Sequence, residues 1–197
     1  MSEREFEGAE RFVHWCYAAL FLGLVLTGAL LVWSPAARAI AIGGQRLVPL
    51  IHFGLGLALL VAPFLPLAWG RGESLGRDLR AWLRWRPADL VWLALAPLSI
   101  VAPRLPLPAQ PRFNAGQRLN ALWSLAAWAL LGLTGLAIWS GRALPIRWRE
   151  AAYDWHVLLA LLSVAVLAGH VAMAAAHPAS MRAMLRGPAR PRRAPRR

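Results

Sequence analysis

Four stretches of the chain stay apolar for the length of a bilayer crossing, roughly 20 residues at about 1.5 Å each. They cover residues 12–33, 47–69, 119–139 and 151–176. Polar residues gather between them in two short bands, 34–46 and 140–150, and in one long band, 70–118. Blocks that are oily all round, rather than striped with a period of 3.6, read as helices solvated by lipid. The expected fold is an all-α membrane protein, a four-transmembrane-helix bundle. Spans 1 and 2 form one hairpin and spans 3 and 4 another, all within a single domain, 1–178, followed by a basic tail, 179–197. Composition agrees: 58% of the 197 residues are hydrophobic, above the roughly 45–50% of a soluble domain. Residues 12–33 exceed the roughly 7–15 apolar residues of a signal peptide, so they read as an anchor rather than a removable leader.

The long band changes period. In SLGRDLRAWLRWR (74–86), Leu75, Leu79, Trp82 and Leu83 share a helical face with Arg77, Arg80 and Arg84 beside it, as in a helix lying in the membrane interface. PADLVWLALAPLSIVAP (87–103) is apolar but short for a span, and Pro97 interrupts it. Residues 73–103 are therefore expected to be interfacial or re-entrant.

Every one of the 22 basic residues is Arg, and the net charge is +13. Seventeen of them lie before span 1, in the long band and in the tail; five lie in the two short bands. The positive-inside rule then places both termini in the cytoplasm. A charge segregated in this way speaks for topology and attraction to anionic lipids, not for nucleic-acid binding. Cys16 is the sole cysteine, so the chain has neither an internal disulfide nor a CxxCH haem attachment.

Four histidines fall within the spans, where an imidazole needs a partner. His156 and His170, in span 4, are 14 residues apart, about 21 Å along the helix and on nearly one face. Topology puts His14 near the cytoplasmic surface and His52 near the outer one. Span 4 then places His156 level with His52 and His170 level with His14. Two imidazoles at one depth on facing helices can hold a b-type haem iron by both axial positions. The predicted ligand pairs are His52/His156 and His14/His170, one per haem, and Gly28, Gly54, Gly56, Gly135 and Gly169 are small residues past which a macrocycle could run. A weak echo links the hairpins: Leu26-Thr27-Gly28 recurs as Leu133-Thr134-Gly135, a repetition that chance can produce in so Leu-rich a chain. His177 has no counterpart at its depth and reads as a headgroup-level residue. No single level gathers the Cys, His and carboxylate groups of a zinc site.

RFVHW (11–15), LIHFGLG (50–56), RFNAGQRLN (112–120) and DWHVLLALLSVAVLAGHVAM (154–173) resemble the cytochrome b (gamma) subunit of respiratory formate dehydrogenases, within the wider membrane di-haem cytochrome b561-like group. The resemblance covers about three-quarters of the chain. It implies two haem b groups on the four histidines and a quinone site (menaquinone or ubiquinone) at Asn114, Gly116 and Gln117. Electrons would come from an iron–sulfur subunit and a molybdenum or tungsten catalytic subunit, so this chain would be an electron-transferring anchor in the bacterial inner membrane with no catalytic residue for formate oxidation. Read from the residues alone, Asn114 serves equally as the cap of span 3, with Gln117 in its first turn. The 87–103 segment and the Arg-rich ending depart from the pattern. They leave open the same role for a hydrogenase or another molybdenum oxidoreductase, or a stand-alone cytochrome b561-like quinone oxidoreductase.

Overall fold

The computed structural model describes residues 8–65, 72–102, 104–176 and 178–186. His177 and residues 187–197 of the basic tail lie outside the described residues. Four described helices are long and apolar enough to cross a membrane: Arg11–Trp33, Leu47–Phe64, Ala115–Trp139 and Ile146–Ala176. The protein is an all-α, multi-pass membrane protein.

In chain order the helices are α1 (Gly8–Trp33), α2 (Pro35–Ala39), α3 (Leu47–Val61), α4 (Gly72–Leu83), α5 (Pro87–Leu95), α6 (Leu98–Val101), α7 (Ala115–Trp139), α8 (Ile146–Ala176) and α9 (Pro178–Arg186). The one strand pair among the described residues joins Ala41–Ile42 to Gln45–Arg46. Its turn needs positive φ at both central positions, and glycine supplies it at Gly43 (59°) and Gly44 (79°). Buried apolar side chains are few and mostly small, such as Ala37, Ala115, Ala127 and Ala152, while Leu26 and Leu133 are 67% and 65% exposed. Lipid tails are as apolar as leucine, so small residues let helices approach and large ones face outward.

The chain divides into two compact units, residues 1–63 with 164–197, and residues 64–163. In the first, α1 packs along α3. In the second, α4 and α5 pack on α7. Neither α5, of nine residues, nor α6, of four, has the length of a span, and Pro97 separates them.

Besides α1, which begins at Gly8 rather than 12, two spanning helices start earlier than hydropathy alone suggests. α7 begins at Ala115 rather than 119 because Asn114 and Gln117 cap it reciprocally: the Gln117 N–H donates to Asn114 Oδ1 (2.8 Å) and the Asn114 N–H to Gln117 Oε1 (3.0 Å). α8 begins at Ile146 rather than 151, directly after Pro145, whose carbonyl accepts from the Trp148 N–H at 3.0 Å.

Candidate functional site

The Leu-Thr-Gly echo is a repeated structural device. Thr27 on α1 donates its only hydroxyl proton to the Gly23 carbonyl one turn back, at 2.7 Å, as threonine does in an apolar helix. Its oxygen is then an acceptor, and His52 Nδ1 on α3 lies 2.8 Å away. Nδ1 must carry the hydrogen of that contact, so in the neutral ring the lone pair belongs to Nε2. Thr134 on α7 repeats the arrangement in the other unit. Its hydroxyl donates to the Leu130 carbonyl at 2.7 Å and faces His156 Nδ1 on α8 at 2.9 Å. Both histidines are thus set in the tautomer that offers Nε2 to a metal, and the second ring nitrogen is held as metal-ligating histidines require.

The glycine of each tripeptide makes room for the ring. A Cβ at Gly28 would come 3.3 Å from His52 Cε1, and one at Gly135 would come 3.4 Å from His156 Cε1. The preceding leucines, Leu26 and Leu133, face outward. Each tripeptide therefore presents leucine to lipid and threonine with glycine to an imidazole. At Gly54, Gly56 and Gly169 an added Cβ meets nothing within 4 Å, so the packing of the chain does not itself require glycine there.

His14 on α1 and His170 on α8 belong to one unit and meet directly. Their ring centroids are 6.2 Å apart, with the planes at 50°. Two imidazole nitrogens each about 2 Å from one metal, with ring centres about 1 Å further back, give a spacing of roughly 6 Å. The pair therefore fits two axial ligands of one haem iron. His14 is half-buried and His170 is exposed in the isolated chain. Trp15 stands edge-on to His14 at 5.3 Å, and its Nε1–H donates to the Met184 carbonyl on α9 at 3.4 Å. Among the described residues no three His, Cys, Asp or Glu side chains converge on a common point.

The NAGQ segment caps α7. The side-chain carbonyls of Asn114 and Gln117 both serve in the cap described above. Gly116 lies under Trp92, whose ring a Cβ there would meet at 3.3 Å. Gln110 Oε1 accepts from the Ala115 N–H at 2.9 Å, tying the preceding loop to the helix start.

Beneath this segment lies a buried ion pair absent from the sequence reading. Asp89 on α5 and Arg118 on α7 are 0% and 1% exposed, and Arg118 Nη2 stands 2.6 Å from Asp89 Oδ1. The Arg86 N–H donates to Asp89 Oδ2 at 2.7 Å, Arg118 Nη1 donates to the Arg84 carbonyl, and the guanidinium lies 5.0 Å from the centre of the Trp85 ring. The hydrogen bond from Arg118, aided by the Arg86 amide, holds the Asp89 carboxyl below the usual carboxylate range despite burial. The signal in the sequence was a lone acid inside the apolar run PADLVWLAL; its partner 29 residues on could not be read from spacing.

No curated protein matches the chain. The sequence profile described as prokaryotic cytochrome b561 does match, over nearly the whole length. The chain belongs to the prokaryotic cytochrome b561 family, membrane cytochromes b that bind haem b and serve electron transfer, over residues 5–187.

Proposed function

We propose that the protein is the membrane-anchoring di-haem cytochrome b subunit of a respiratory oxidoreductase, carrying electrons across the bacterial inner membrane to quinone. The observation that carries this reading is the approach of His14 to His170, with ring centroids 6.2 Å apart, at the separation one bis-imidazole iron needs. His52 and His156 are the ligands of the second haem, a pairing that rests on their equal depth in the sequence topology and is supported by their matching threonine ties. Haem held at these pairs supplies a one-electron iron couple.

The chain's own part is to orient and to insulate. Thr27 and Thr134 hold a proton at Nδ1 of each tied imidazole, which keeps Nε2 directed to the metal. The outward leucines keep water from the core. Asn114 and Gln117, with Gly116 between them, are the proposed quinone-facing residues, and Asp89 with Arg118 fixes the helix start that presents them. The segregated arginines support cytoplasmic termini, with quinone taken at that side.

Motif resemblance favours formate as the ultimate reductant, delivered through an iron–sulfur subunit and a molybdenum or tungsten subunit. A dithionite-reduced minus oxidised spectrum with haem quantitation tests the core of the proposal. Two low-spin b haems per chain are expected, and a colourless protein overturns it. Co-purification from native membranes tests the partners: formate should reduce the haem bands, and reduction by hydrogen instead would assign the chain to a hydrogenase. A stand-alone quinone oxidoreductase would purify without partners and keep its quinone activity.

A further inference from the structure

Six arginines converge on one cleft beside the first turns of α7. The cleft has a volume of about 480 Å³, and Arg77, Arg80, Arg84, Arg86, Arg112 and Arg118 line it. Two carboxylates answer them: Asp78 accepts from Arg112 at 3.3 Å, and Asp89 takes Arg118 at 2.6 Å and Arg86 at 3.8 Å. The surplus survives a wider count, because the whole segment 71–118 carries eight Arg against Glu73, Asp78 and Asp89. Like charges crowded around a shared cavity repel, and a multivalent oxyanion relieves that repulsion through charge-assisted bonds to several guanidiniums at once. Arg118 adds a second observation: it is 1% exposed, and its Nε–H has no acceptor among the described residues.

The surroundings favour an amphiphilic anion over a free one. Leu79 and Leu83 on α4 are exposed between and beside the arginines of the same helix, and Leu90 on α5 is 64% exposed. Arg118 itself lies in the first turns of a spanning helix, the level at which headgroups sit. Guanidiniums at headgroup level beside outward leucines match a phosphodiester carrying acyl chains.

We propose that this arginine cleft is a binding site for the headgroup of an anionic phospholipid. The inference rests on the chain being a membrane protein and is independent of the cytochrome reading.

Delipidated full-length protein in uncharged detergent is titrated with short-chain phosphatidylglycerol, short-chain phosphatidylcholine and inorganic phosphate. Native mass spectrometry counts what is bound, and thermal shift follows the saturation. Phosphatidylglycerol should bind saturably and roughly tenfold more tightly than phosphatidylcholine. Arg80→Gln with Arg84→Gln, both exposed positions, should remove that preference. Arg142→Gln with Arg147→Gln deletes the same charge beyond the other end of α7 and should keep it. The proposal is overturned by equal affinity for the two lipids, by unchanged binding in the Arg80/Arg84 variant, or by an equal loss in the Arg142/Arg147 variant. Inorganic phosphate that saturates the site at the same concentration would also overturn it, by assigning the cleft to a free anion.

Discussion

Thr27 holds His52 by one hydrogen bond of 2.8 Å, and Thr134 holds His156 by one of 2.9 Å. His14 and His170 are placed differently. They face each other at 6.2 Å, with the edge of Trp15 beside one of them, and among the described residues no threonine ties either ring. In the first arrangement the helix on which the threonine sits dictates both tautomer and ring plane before any metal arrives. In the second, helix packing sets the distance between the rings, and the iron of the proposed haem would set their rotation. The difference teaches where pre-organisation lies: the tied histidines are oriented by the protein, and the facing pair would be oriented by the haem proposed for it.

The largest effect expected from breaking this contrast is loss of a ligand. His14→Ala and His170→Ala should each lower haem content from two to one per chain, and both should leave the same residual spectrum, that of the threonine-tied site. His52→Ala and His156→Ala should leave the complementary spectrum. Pyridine haemochrome quantitation with low-temperature spectra reads the result. A His14→Ala protein whose remaining spectrum differed from that of His170→Ala would show that these two rings do not share an iron.

The next effect is smaller and confined to the tied histidines. Thr134→Val keeps shape but removes the hydroxyl that faces His156 Nδ1 at 2.9 Å, a loss of about 1 kcal/mol for one hydrogen bond of a half-buried ring. Second-shell losses of this kind lower metal affinity by roughly 10–100-fold. The variant should retain its haem less tightly and shift the electron paramagnetic resonance signal and midpoint potential of that site alone. Thr134→Ser restores the acceptor and should recover both, and Thr27→Val should act likewise through His52. A Thr134→Val protein with unchanged haem affinity and resonance would mean that the iron, not the threonine, orients His156.

Much of this architecture was legible in the residues, and the reasons for the gaps are physical. The spans announce themselves because some 20 oily residues have few other uses. The start of α7 did not, because Arg118 looks like a loop charge. It is buried inside the helix by a salt bridge to Asp89, a residue distant in sequence and itself set in an apolar run. A partner that neutralises a charge changes where a helix can begin, and hydropathy cannot see partners. The start of α8 was hidden likewise: Arg147, Arg149 and Glu150 read as loop although they form its first turns. The four histidines stood out in the residues as imidazoles inside oily runs, whereas the threonine that holds two of them did not. Leu-Thr-Gly looked accidental because its meaning lies in a ring on the next helix, 25 residues beyond Thr27 and 22 beyond Thr134.

The smallest expected effect sharpens the contrast most, because it perturbs position without removing any chemical group. Gly28→Ala adds a methyl whose carbon would lie 3.3 Å from His52 Cε1, closer than comfortable van der Waals contact. Alanine favours the helix by up to about 1 kcal/mol over glycine, and the crowding opposes that gain, so stability should change little. The ring, however, must yield by a few tenths of an ångström, and the Thr27–His52 bond beside it should lengthen. A shift in the resonance of the tied site is therefore expected with almost no change in melting temperature. Gly76→Ala on α4 is the matched control, since a Cβ there makes only ordinary van der Waals contact, 3.7 Å from Arg80 Nη1, and the helix gains the same propensity. If both substitutions leave the spectrum alone, the Gly28 contact does not position His52. If only Gly28→Ala moves it, the tripeptide reaches the metal through one imidazole, with glycine setting the distance and threonine the angle.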